Sequence, residues 1–253
     1  MSNDIHPTAI VSSNASIGKN TTIGPFSIVH DNVVIGKNCQ IDGFCELGYP
    51  TKLASGSPLI VGDNAVIRSH SVFYEGSTFG NDLSTGHRVT VREGVVAGFN
   101  LQIGTLSDLQ GDCSIGDYVR CHSNVHIGKS SKIGNFVWIF PYCVLTNDPH
   151  PPSNITQGVT IDDFAVIATM TTLLPGVTIG KDSLVAAHSC VGKAVEPDTV
   201  VGGSPAKKLC LTREIKLKDG SQEAAYPWKK HFHRGYPEHI VNKWISSIDK
   251  LKG

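Results

Sequence analysis

Along most of the chain an aliphatic residue recurs every six positions, followed by Gly or a polar residue, two turn-forming residues, a small residue and a variable one. The frame reads from Val11 (VSSNAS, IGKNTT, IGPFSI, VHDNVV, IGKNCQ, IDGFCE), again from Val61 through Ile139, and a third time from Ile161 through Val191. Of 26 hexads, 21 begin with Val, Ile or Leu, 13 carry Gly second, and 24 carry Ala, Ser, Thr, Cys or Val fifth. A six-residue step made of a short strand and a turn closes a triangular coil after three repeats. The first and fifth positions point inward, because a narrow prism admits one large and one small side chain per side. Stacked coils then pair as parallel strands ~4.8 Å apart, and each buries its apolar face only against its neighbours. The pattern predicts an all-β protein, a parallel β-helix over residues 1–206, followed by a C-terminal arm and helix over 207–253.

Two breaks interrupt the frame. Leu47 is followed by 14 residues rather than six before Val61, and Leu145 by 16 before Ile161, which predicts loops near 48–60 and 146–160. With each loop counted as one expanded hexad, both leave the same corner of the triangle, five coils or ~24 Å apart. Loops that interrupt so regular a scaffold carry function disproportionately. Beyond residue 206, TREIKLKDGSQEAA reads as an extension, and Pro237 opens a helix with Ile240, Val241, Trp244, Ile245, Ile248 and Leu251 at helical spacing. Its apolar face is expected to pack on the prism or on a neighbouring chain.

Composition agrees with the frame and narrows the partners. Val and Ile together number 46 against 15 Leu, the usage of pleated, β-branched surface. The 22 basic and 22 acidic side chains cancel, so nothing points to nucleic acid or a membrane surface as a partner. The start MSNDIHPTAI lacks a basic n-region, and no run approaches ~18 apolar residues, so a soluble, cytoplasmic protein is expected. None of the seven cysteines sits in a CxxC pair, which argues against a disulfide framework and structural zinc. Cys39, Cys45, Cys113 and Cys143 take the small fifth position and Cys121 the first, so the frame makes them core fillers. Cys190 faces outward and Cys210 lies beyond the repeat.

Outward mid-strand residues 18 apart stack in columns. One runs Val66, Ser84, Gln102, Arg120, Trp138, Val166, Leu184; a second Val72, Thr90, Asp108, His126, Val144; a third Thr78, Val96, Ser114, Lys132. The polar middle of the first column, beside turn residues His87 and Glu93, is the densest set of acid, base and hydrogen-bonding groups and places the site in the middle coils. Three segments stand out: LSTGHRVTVRE (83–93), LTNDPHPPS (145–153) and VGGSPAKKL (201–209). Each has a structural reading as well: a solvated corner for the first, an Asx-turn at Asn147 and Asp148 for the second, solvated lysines for the third.

The repeat resembles that of the hexapeptide-repeat family, whose members form left-handed β-helices; the handedness follows from this resemblance. Residues 83–93 are similar to the tGHxVxIRE string of its sugar acyltransferases, the TND loop to nucleotide-linked amino-sugar N-acyltransferases, and 201–209 to the VxGxPAK ending of its acyl-CoA-dependent enzymes. The tail AYPWKKHFHRGYPEHIVNKW (225–244) resembles that of dTDP-4-amino-4,6-dideoxyglucose N-acyltransferases, including those of the anthrose pathway. The resemblance implies a homotrimer with sites between subunits, acylating a nucleotide-linked amino sugar from acetyl-CoA or 3-hydroxybutyryl-CoA without a metal. It implies that Ala168, Ala186 and the Gly202–Lys208 segment, including Gly203 and Ser204, line the CoA, with Lys193, Lys207 and Lys208 near its phosphates. Direct attack of an amine on a thioester needs a proton acceptor, donors to the developing oxyanion and positioning of two substrates. Glu93 is the candidate acceptor, Ser84 the hydrogen-bonding group and His87 the rival base, with Arg88, Arg120, His122, Asn147 and Asp148 toward the sugar nucleotide. The basic and aromatic tail suits either a nucleotide or a subunit contact.

Three other readings make distinct demands. An O-acyltransferase needs a histidine base, for which His87, His122 and His126 are available. A zinc hydratase resembling the γ-class carbonic anhydrases would gather those same three histidines, but their spacings of 35 and 4 fall in the wrong phases. A bare assembly scaffold predicts no thermal shift with CoA.

Overall fold

The computed structural model describes residues 3–249. The fold is an all-β left-handed β-helix of about 11 turns, with two loop insertions and a C-terminal helix. Among the described residues, 31 strands, most of two residues, form three sheets of 12, 10 and 9 strands, one for each prism face. These are called the first, second and third faces below, in the order in which the chain visits them. Register follows the 18-residue coil: Ser84 lies opposite Val66 and Gln102, and Arg120 opposite Gln102 and Trp138. The second and third predicted columns pair likewise, through Asp108 opposite His126 and Ser114 opposite Lys132. Among the strands only Lys207–Leu211 runs antiparallel, folding back on Thr199–Gly202 at the end of the first face.

First-position residues Ile23, Ile41, Ile67, Ile103, Ile127 and Ile139 are at most 1% exposed and belong to one continuous core. The large first-position residue Phe79 lies opposite small Ala97 in the next coil, and Phe73 meets Phe79 edge-on at 5.4 Å. Such compensation is what close packing in a prism of fixed width requires. Buried fifth-position hydroxyls are satisfied by backbone carbonyls, either of the next coil, as Ser27 Oγ donates to Asp42 O (2.9 Å) and Ser77 Oγ to Arg92 O (2.8 Å), or three residues back in their own, as Ser71 Oγ donates to Arg68 O (2.8 Å) and Ser131 Oγ to Gly128 O (2.7 Å). Cys39, Cys45, Cys113, Cys121 and Cys143 are all free and buried in this core, as the frame predicts. Burial pushes their thiols up, to about 11 for Cys45 and about 12 for Cys121.

The fourth position of the hexad takes a left-handed backbone even where it carries a bulky residue, as at Phe26, Phe44, Tyr118 and Phe136 (φ 57 to 60°). That conformation costs an L-residue roughly 1–2 kcal/mol. The corners recover part of it by stacking like with like. Asn20, Asn38, Asn64 and Asp82 form a hydrogen-bonded ladder with steps of 3.1, 3.3 and 3.0 Å. Farther down the same corner, Tyr118, Phe136 and Phe164 stack at 5.2 and 4.8 Å.

Both loops leave the corner between the second and third faces, five strands apart on the second. The first is shorter than the predicted 48–60, because the strand Glu46–Tyr49 persists and Leu59–Val61 resumes pairing early. The second spans the interval between Val144–Leu145 and Thr160–Ile161. After the repeat, the arm returns along the first face. Trp228 Nε1 donates to Phe164 O (3.1 Å), Lys229 pairs with Asp182 (3.2 Å), and the helix Glu238–Asp249 begins directly after Pro237. Trp244 is buried with Phe164 and Tyr236, with Ile240 and Val241 packed alongside, whereas Ile245 is exposed. The helix therefore packs on its own prism; the predicted Leu251 contact lies outside the described residues. None of the helices described is long and apolar enough to cross a membrane.

Candidate functional site

The predicted site residues separate onto two corners of the prism. Ser84 projects from the first face, half-buried. His87 and Arg88 occupy the following corner, between the first and second faces; His87 Nδ1 is 2.9 Å from Ser69 Oγ, and Arg88 is exposed with φ 57°. Glu93 lies at the corner between the second and third faces, 4% exposed, its two carboxylate oxygens bound by Arg92 Nε (3.0 Å) and Nη2 (3.2 Å). A single chain thus does not bring Ser84 and Glu93 together.

The first column is not open along its length. Arg120 is 4% exposed, and its guanidinium donates to the Asn100 carbonyl, to Asn100 Oδ1 (2.6 Å) and to Val119 O (3.2 Å), while lying over the Tyr236 ring at 5.2 Å. It clamps the arm to the prism, and those donors are unavailable to a sugar nucleotide, contrary to the sequence expectation. His122, on the next turn residue, stacks on Phe140 at 4.7 Å, and burial holds its imidazole below the usual range. Asp148 is likewise committed. It accepts from His150 N (2.9 Å), Ser153 N (2.8 Å) and Ser153 Oγ (2.6 Å), the Asx-type arrangement that stiffens the loop. Asn147 sits beside Gly128 at the loop's root, where Gln157 N donates to its carbonyl (2.8 Å).

The second face carries the denser polar set. His126 Nδ1 lies 3.1 Å from Asp108 Oδ2, and Gln110 Nε2 donates to the same oxygen. Burial would raise the Asp108 carboxyl, but hydrogen bonds from His126 and Gln110 and the charges of His126 and Arg92 hold it below its ordinary value. Arg92 also lies over Tyr74 at 5.1 Å, linking this pair to Glu93 and to the first loop, whose Ala54 covers Gly76. Sequence reasoning placed Asp108 and His126 in one column yet gave the site to the first. The available signal was an acid and a histidine at outward positions 18 apart.

At the C-terminal end the CoA candidates converge. Ala168, Ala186 and Gly202 hold equivalent positions in successive coils, joined by Ala168 N to Val185 O (3.0 Å) and Ala186 N to Val201 O (2.8 Å). Gly202 is buried, and a Cβ there would meet Leu209 Cδ1 at 2.8 Å and Ala186 Cβ at 3.2 Å, so only Gly fits beneath the Leu209 side chain that covers the lower end of the track. Gly203 and Ser204 are exposed beyond it, Gly203 with φ 96°. Lys193, Lys207 and Lys208 line one cavity of about 330 Å³ with Glu196 and Ala206. Among the described residues no three His, Cys, Asp or Glu side chains gather as a metal site would require, and His87, His122 and His126 stand apart.

The profile described as "Bacterial transferase hexapeptide (six repeats)" matches residues 14–49. The fold is a left-handed β-helix. The chain is 27% identical over 168 residues to the acyl-(acyl-carrier-protein)–UDP-N-acetylglucosamine O-acyltransferase of Pseudomonas paraeruginosa, covering 66% of this chain and 59% of that one. It is 25% identical over 198 residues to the Pseudomonas putida enzyme of that name, covering 73% and 71%. The chain therefore spans 59% of the length of the first of these relatives. The solved Arabidopsis UDP-N-acetylglucosamine acyltransferase superposes with a TM-score of 0.70 at 20% identity, over 82% of this chain and 74% of that one, a likeness of fold.

Proposed function

We propose that this protein transfers an acyl group from acyl-CoA to the amino group of a nucleotide-linked amino sugar, with dTDP-4-amino-4,6-dideoxyglucose as the acceptor and an acetyl or 3-hydroxybutyryl donor. The observation that carries the donor half is that Lys193, Lys207 and Lys208 line one cavity with Glu196 as its one acid, at the end of the prism to which the small residues Ala168 and Ala186 lead. Three lysines against one glutamate suit the phosphates of CoA, and the short side chains of Ala168 and Ala186 let the pantetheine approach backbone donors and acceptors.

In the reaction the neutral amine attacks the thioester carbonyl, a C–N bond forms, the C–S bond breaks, and CoA leaves as the thiol. One proton leaves the nitrogen. Glu93 is assigned as its acceptor, a role that requires the 4%-exposed carboxylate to part from Arg92 when substrate binds, while Ser84 hydrogen-bonds the amine or the oxyanion and His87 stands as the alternative base. Because Ser84 and His87 lie at a different corner from Glu93, this reading requires a neighbouring copy to complete the site, as in a homotrimer. Exposed Phe26, Phe44, Leu106, Tyr142 and Met170, which run down the corner between the first and second faces, supply an apolar ladder for that contact. Of the predicted sugar-nucleotide contacts, Asn147 and Arg88 remain, one at each corner.

The His126–Asp108 pair favours a second reading, O-acylation, because a carboxylate-oriented histidine is the base that hydroxyl attack demands. The two readings differ in acceptor and in the fate of His126.

Calorimetry with CoA tests the donor assignment. The wild-type chain should bind CoA, and K207A/K208A should weaken it by about 10-fold or more, since a charge-assisted hydrogen bond contributes about 1.5–3 kcal/mol. An acyl-pantetheine lacking the nucleotide should bind both proteins alike. Absence of CoA binding alongside turnover of an acyl carrier protein donor would sink the reading.

A further inference from the structure

The arm does more than cover the first face. Between it and the prism lies a second cavity of about 330 Å³, lined by His122, Trp138, Phe140 and Val166 of the prism and by Tyr226, Trp228, Phe232 and Arg234 of the arm. Its position is set by the coil. Phe140 occupies the coil before Ala168, in the same turn position as Ala168, Ala186 and Gly202, with Phe140 N bonded to Ile167 O (2.9 Å). The cavity therefore lies one coil above Ala168, next to the upper end of the track assigned to pantetheine, with Phe140 ~14 Å above Gly202 at the strand spacing. His87 and Ser84 lie farther up, two coils above His122 and Arg120 respectively.

We infer that this arm-covered cavity receives the acyl chain of the donor, an aliphatic chain of about four to eight carbons, and that the arm thereby sets donor length. The inference rests on the acyl-CoA reading above. Size supports it: an apolar cavity of ~150 Å³ already accommodates benzene, and this one is about twice that, so a bare acetyl group would leave most of it empty. Shape separates it from a nucleobase site. Trp138 meets Phe232 at 86° and Trp228 at 81°, so the walls make a box of ring edges and faces with no parallel slot for a planar base. The two stacked pairs in the wall, His122 on Phe140 at 4.7 Å and Trp138 on Phe140 at 6.0 Å, are closed on themselves, since a base inserted between two rings would need them about 7 Å apart. Burial holds the His122 imidazole below its usual range, so Arg234, whose guanidinium lies 5.7 Å from the Phe232 ring, is the one charged group of the lining.

The cavity holds its own reporter. Trp138 and Trp228 line it, and the third tryptophan, Trp244, is buried behind. The full chain should be titrated with CoA, acetyl-CoA, butyryl-CoA, hexanoyl-CoA, octanoyl-CoA and dTDP while tryptophan emission is followed, and thiol release measured for the same donors. Expected are an emission change with butyryl and longer donors but not with CoA, and a kcat/KM for butyryl-CoA about 10-fold or more above acetyl-CoA. Val166→Phe should abolish that preference while leaving acetyl-CoA and CoA affinity in place, and Phe232→Ala should shift the optimum to longer chains. If CoA binds but chain length changes neither emission nor kcat/KM, or V166F lowers all donors equally, the inference fails while the donor assignment stands. An emission response to dTDP alone would make this the nucleotide site and overturn it as well. If CoA does not bind at all, both fail.

Discussion

Trp138 Nε1 donates to the phenol oxygen of Tyr236 across 2.9 Å, tying the middle of the prism to an arm 98 residues later in the chain. Burial pushes the Tyr236 phenol up to about 12, so the ring remains neutral over the working pH range. Arg120 lies over the same Tyr236 ring at 5.2 Å, so two prism side chains hold this point of the arm. Tyr236→Phe should cost about 1 kcal/mol, the net value of one hydrogen bond, and Trp138→Ala about 3–5 kcal/mol through loss of a large packed ring. The denaturant midpoint of the folded chain checks both.

Glu93→Gln separates catalysis from positioning. As proton acceptor, Glu93 contributes roughly 10²–10⁴-fold, so turnover at saturating substrates should fall by that order while KM changes little. Turnover near wild type with a raised KM would make Glu93 a positioning residue that acts through Arg92.

Asp108 predicts an acid-sensitive second face. Its folded value lies below the ordinary carboxylate range, so its contribution to stability is fully present above that range and is lost as pH falls through the folded value. Asp108→Asn should flatten the acid limb of a stability-versus-pH curve. An unchanged limb would show that the His126 contact contributes nothing in solution.

The cysteines give a direct probe of the interior. Cys190 and Cys210 are half-buried, whereas Cys39, Cys45, Cys113, Cys121 and Cys143 are buried with thiols pushed up by desolvation. Thiolate reagents at neutral pH should label Cys190 and Cys210 in the native chain, and all seven only after unfolding. Native labelling of Cys121 would contradict the packed prism.

The prism was legible because its signal is physical and repetitive: one large and one small inward residue per side leave little choice of frame, and the frame placed the cysteines, both loops and the columns. The site was legible only in pieces. Arg120 and Asp148 carry groups that suit a ligand, but no spacing rule reveals that Asn100 and Tyr236 surround the first or that Ser153 and His150 occupy the second. The arm hid Arg120, since contacts between residues over a hundred positions apart leave no periodic trace. Left-handed backbone at Phe26 or Tyr118 was equally silent, because Gly and Asn announce such turns and aromatic residues do not.

The most direct test of the proposed activity is product analysis by mass spectrometry and NMR after incubating the full chain with acyl-CoA and either dTDP-4-amino-4,6-dideoxyglucose or its 4-hydroxy counterpart. The account predicts stoichiometric CoA release and an amide at the sugar nitrogen with the first acceptor, and neither with the second. An ester formed on the hydroxy acceptor, lost in His126→Ala and with no amide from the amine, would contradict it.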